Sequence, residues 1–93
     1  MVTRLQLIDE LLRTHDIEGL IDIGAPKDEY NSEAKMIADR IGTAEWRVHP
    51  QKLSVAQIKE IIRGVWAEMF SLGEEDLRKR DYGFDEIAKK LTV

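Results

Sequence analysis

The stretch from Leu53 to Leu72 constrains the fold more than any other part of the chain. Ser54 and Gln57 stand at the S-x-x-Q spacing of a capping box, in which two side chains satisfy free amides at a helix start. Leu53 before the cap and Ile58 inside the helix have the spacing of a hydrophobic staple. Behind them Val55, Ile58, Ile61, Ile62, Val65, Trp66, Met69, Phe70 and Leu72 make a broad apolar face. That face is wide enough to touch two neighbours, so the spacing predicts a central helix from Val55 to about Leu72, ended by Gly73. In a chain of 93 residues the covering elements must come from the same domain, taken as residues 1–93.

Three further segments supply the cover. Leu5, Ile8, Leu11 and Leu12 share one face of a helix over about Thr3 to Arg13, with Thr3 as its cap. Tyr30, Ala34, Ile37, Ala38 and Ile41 form a narrow stripe that predicts a helix from about Asp28 to Ile41, introduced by Pro26 and closed by Gly42. In Glu74 to Leu91, the pairs Glu74/Arg78, Glu75/Lys79 and Asp76/Arg80 support a short helix. A break at Asp81-Tyr82-Gly83 then precedes a terminal helix carrying Phe84, Ile87, Ala88 and Leu91. Thr14 to Lys27 reads as an ordered loop whose apolar residues Leu20, Ile21 and Ile23 tuck into the core. A second loop runs from Thr43 to Leu53 and holds Trp46, His49 and Pro50. The expected fold is all-α: a small irregular bundle of four main helices, with a long ordered loop between the first and second.

Charge is unevenly placed. Residues 1–46 hold ten acids and five bases, and residues 47–93 hold eight acids and nine bases. Within residues 16–33, Asp16, Glu18, Asp22, Asp28, Glu29 and Glu33 face only Lys27. The net charge of −4 argues against phosphate neutralisation and hence against a nucleic-acid partner. The one basic run, Arg78-Lys79-Arg80, follows three acids in register and reads as a self-neutralised face.

Other chemistry lacks its residues. The chain has no cysteine, which removes disulfides, thiolate ligands and thiol nucleophiles. His15 and His49 are the only histidines and are not spaced as a zinc pair, and the acidic segment lacks a calcium-loop pattern. No metal and no cofactor are expected. Ser54 is accounted for as a cap, and there is no nucleophile elbow and no phosphate-cradling glycine loop. No apolar run approaches the roughly 18 residues of a membrane span, and the first ten residues acquire charge too early for a secretory signal. These features predict a cytoplasmic protein with no membrane partner.

The segment from Gly19 to Ala34, and within it Gly24, Pro26, Asp28, Glu29, Tyr30, Glu33 and Ala34, resembles a group of small bacterial proteins gathered as the domain-of-unknown-function family numbered 1871. The resemblance extends over about residues 17–91. It implies a small helical fold and a bacterial origin, and it brings no activity, catalytic residue or cofactor.

The functional expectation is a non-catalytic protein–protein interaction module of the adaptor or immunity type. Asp16, Glu18, Asp22, Asp28 and Glu29 would form an acidic surface for a basic protein partner, since complementary charge steers association. Asp28 and Glu29 also suit capping of the second helix. Trp46 beside Arg47 is a candidate interface anchor, or else a cover for the open end of the bundle. Two alternatives stand beside this reading. One is a self-associating homodimer through the broad third helix. The other is a small carboxylate-dependent hydrolase, for which the 18 carboxylates offer no specific pair.

Overall fold

The computed structural model describes residues 3–19, 23–24, 30–48 and 53–92. They form five helices: α1 (Arg4–His15), α2 (Asn31–Val48), α3 (Val55–Phe70), α4 (Glu74–Lys79) and α5 (Asp81–Leu91), with no strand among the described residues. Both expected caps are present. Thr3 Oγ1 accepts from the Gln6 N–H, and the Gln6 side chain accepts from the Thr3 N–H. Ser54 and Gln57 make the same reciprocal pair at the start of α3.

The four longer helices neighbour one another in a ring, α1 to α2 to α3 to α5 and back to α1, and α4 packs on α3 and α5. The core inside this ring holds Ile8 and Leu12 of α1, Ala34 and Ile37 of α2, Ile62, Val65 and Trp66 of α3, and Phe84, Ile87 and Ala88 of α5. Trp66 is its largest member and is fully buried. Its ring stacks on Tyr30 at a centroid distance of 5.9 Å, and Phe70 and Phe84 lie at 5.3 and 5.9 Å. No described helix is long and apolar enough to cross a membrane.

Several boundaries depart from the sequence reading. The first helix runs on to His15, because Asp16 takes the left-handed conformation (φ 44°) and donates its N–H to the Leu12 carbonyl. The third helix stops at Phe70 by the same device at Ser71 (φ 53°), and Gly73 serves as the N-cap of α4 rather than as a terminator. The second helix passes through Gly42 to Val48, so Trp46 stands on a helix and not in a loop. Packing outweighs the local cost of glycine there: Ile41 is buried, Ala44 packs against the core, and Arg4 of α1 pairs with Glu45 at 2.6 Å. The break before α5 falls at Arg80, and Tyr82 and Gly83 lie inside the last helix. In the loop after α1, Ile23 is 79% exposed on a turn closed by its N–H to the Gly19 carbonyl, not tucked inside. Leu20 and Ile21 lie outside the described residues, as do Pro26 and the expected first turn of the second helix at Asp28 and Glu29.

Candidate functional site

The chain leaves α1 through the left-handed Asp16, and Gly19 (φ 68°) donates its N–H to the Asp16 carbonyl at 2.8 Å. This tight reversal lays Ile17 against α5 and Glu18 beside Trp66 and Arg80. Ile17 packs so closely on α5 that a Cβ added to Gly83 would stand 3.1 Å from its side chain. Glu18 reaches inward. Its Oε1 accepts from the Trp66 indole N–H at 2.8 Å and from Arg80 Nε, and its Oε2 accepts from Arg80 Nη2 at 2.9 Å. The Tyr30 hydroxyl closes the group: it donates to Asp16 Oδ1 at 2.7 Å and accepts the Glu18 N–H at 3.1 Å.

Each contact answers a physical need. A buried indole N–H requires an acceptor, and a carboxylate withdrawn from water requires a cation. The two-pronged Arg80 contact holds the Glu18 carboxyl below its ordinary value. Burial opposes this, and the Trp66 N–H adds to the lowering. Arg80 is raised in return, chiefly by its hydrogen bonds to Glu18.

Two of the six candidate binding residues, Asp16 and Glu18, are therefore brought together, but around Tyr30, Trp66 and Arg80 inside the chain. The Glu18 side chain retains only 13% of its exposure. Asp22, Asp28 and Glu29 lie outside the described residues. Arg80 is the participant that local sequence reasoning misassigned. Of the three in-register pairs expected along α4, none forms an ion pair among the described residues. Glu74 instead pairs with Arg63 of α3, and Arg80 touches Asp76 only through its backbone carbonyl. Arg80 sits between two helices (φ −99°, ψ 1°), so its side chain is free to turn from α4 toward the loop. The signal that could have found it is Trp66: a core indole needs a polar partner, and such a partner brings its own counter-ion.

The chemistry of this cluster is that of a fastening. The serine at the start of α3 accepts a capping hydrogen bond, and Ser71 is the left-handed residue that ends α3. His15 Nε2 lies 3.2 Å from Lys90 Nζ, and burial together with that ammonium lowers the His15 pKa. No group of three or more His, Asp or Glu side chains suited to a metal ion occurs among the described residues.

A second surface lies toward the other end of α3, between the end of α2 and the start of α3. Ala44, Leu53, Ala56 and Ile61 give an open groove an apolar lining, with Arg47, Gln57 and Glu60 as its polar members and a volume of about 420 Å³. Trp46, next to Arg47 in the chain, is 83% exposed and covers no part of the bundle's end. Comparison with known proteins adds no relative: no family model, no curated protein and no solved structure matches this chain.

Proposed function

We propose that this protein is a non-catalytic protein-interaction module and that its contact surface is centred on Trp46 and the α2–α3 groove. The observation that carries this reading is Trp46 itself. A tryptophan held on a helix and 83% in water has the composition of an interface anchor, and its chain neighbour Arg47 lines an apolar groove of about 420 Å³. Two of the acids expected to meet a basic partner, Asp16 and Glu18, are engaged within the chain, which favours the Trp46 surface over the acidic loop. The Gly24 to Ala34 pattern supports placing the chain with the small bacterial proteins it resembles, and we take its working compartment to be the cytoplasm.

The test replaces Trp46 with a photoreactive benzophenone amino acid in cells expressing the protein. The same residue at Lys35, exposed near the other end of α2, is the control. The reading expects a covalent adduct with a protein from position 46 and none from position 35. No adduct from either position, or equal labelling from both, overturns it.

A further inference from the structure

The four long helices bring different side chains to the two ends of the ring. At one end stand the aromatic rings of the core: Trp66 and Phe70 in the last turns of α3, Phe84 in the first turn of α5, and Tyr30 just before α2. At the opposite end α1 and α3 begin and α2 and α5 finish. There Leu7 of α1, Ile41 of α2, Ile58 of α3 and Leu91 of α5 surround a hollow of about 120 Å³. Each long helix thus supplies one aliphatic wall. Ile41 and Ile58 are buried, and Leu7 is 37% exposed. Close-packed interiors seldom leave a void much larger than a water molecule, and this one is several times that size. Two polar residues complete the lining, Arg4 and Glu45, and they answer each other. Arg4 Nη1 lies 2.6 Å from Glu45 Oε1, and Arg4 Nη2 donates to Glu45 Oε2 at 3.0 Å.

We infer that this hollow is a binding site for one small, uncharged, apolar molecule of about the size of benzene. An empty hollow leaves its four walls without partner atoms on one side, and an occupant restores those dispersion contacts. A cavity of this order lined by aliphatic side chains stays dry and takes up an apolar guest. The lining also selects against charge. Its cation and its anion are spent on each other, so a charged occupant would give up its hydration and find no unpaired partner. The same pair marks the way in. The Arg4 and Glu45 side chains keep 46% and 36% of their exposure, and an ion pair so exposed is weak and opens at little cost. The hollow shares no lining residue with the α2–α3 groove, so its failure as a site would leave the interaction reading untouched.

The experiment adds benzene to the purified full chain and follows the side-chain methyl groups by NMR, with benzoate as a charged probe built on the same ring. Benzene is expected to shift the methyls of Leu7, Ile41, Ile58 and Leu91 saturably. Those of Ile62, Val65 and Ile87, fully buried elsewhere in the core, are expected to stay near their free positions. At about ten times its dissociation constant, benzene is expected to raise Tm by at least about 5 °C. Benzoate is expected to bind at least about tenfold more weakly. Leu7→Phe puts a ring into the hollow from its most exposed wall, and it is expected to weaken benzene binding at least about tenfold with helicity unchanged. The wild type alone decides the first arm: no saturable shift at the four lining residues overturns the inference. Equal shifts throughout the core, benzoate binding as tight as that of benzene, or undiminished benzene binding by a helical Leu7→Phe overturn it as well.

Discussion

Trp66 shows how one side chain recruits others across the chain. Its rings fill the centre of the bundle, and its N–H must still find an acceptor there. Glu18 supplies it, and Arg80 then compensates the charge that Glu18 brings inside. Glu18→Gln keeps an acceptor for the indole and removes the charge, so we expect a loss of about 1–2 kcal/mol in urea unfolding near neutral pH. The pH dependence has a definite sign. The folded carboxyl is depressed below its ordinary 4.5. Its charge therefore contributes fully above the unfolded value, and the contribution is lost as pH falls through the folded value. The gap between wild type and Glu18→Gln is expected to be constant from about pH 6 to 8 and to narrow below about pH 4.5. A gap that widens in acid contradicts this account.

At the scale of elements, two glycines in helices carry opposite expectations. Gly42 sits in the interior of α2, and a Cβ there meets nothing within 4 Å. Gly42→Ala is expected to stabilise by about 0.5–1 kcal/mol, seen as a rise of several degrees in Tm. Gly83→Ala would press a Cβ to 3.1 and 3.3 Å of the Ile17 side chain, so it is expected to lower Tm and loosen the loop after α1. The same elements divide what could be read from the sequence from what could not. The Ser54/Gln57 spacing, the Thr3 cap and the apolar stripes of α1, α3 and α5 are local, and local chemistry decided them. The length of α2 was not legible, because Gly42 looks like a stop to any argument that does not know Ala44 and Glu45 have partners across the bundle. The partner of Arg80 was hidden likewise: Asp76, four residues away, competes on paper with Glu18, 62 positions away. Of the candidate site, Trp46 was legible as an anchor residue, but the groove lined by Ala44 and Arg47 depends on how α2 and α3 meet.

For the whole molecule, the ring of four helices and the clasp across it divide stability between two kinds of contact. The helices and their caps are built from neighbours in sequence, whereas Glu18 and Arg80 meet only when the first and last parts of the chain have already converged. A contact closing so large a loop is expected to form late, after the helices it joins. Its energy should therefore be missing from the transition state for folding. In stopped-flow measurements Glu18→Gln is expected to raise the unfolding rate by about tenfold and to leave the refolding rate within about twofold of wild type. A variant that slowed refolding instead would place the clasp in the folding nucleus. The carboxylate of Glu18 is thus expected to govern how long a folded molecule survives, with little say in how quickly one is made.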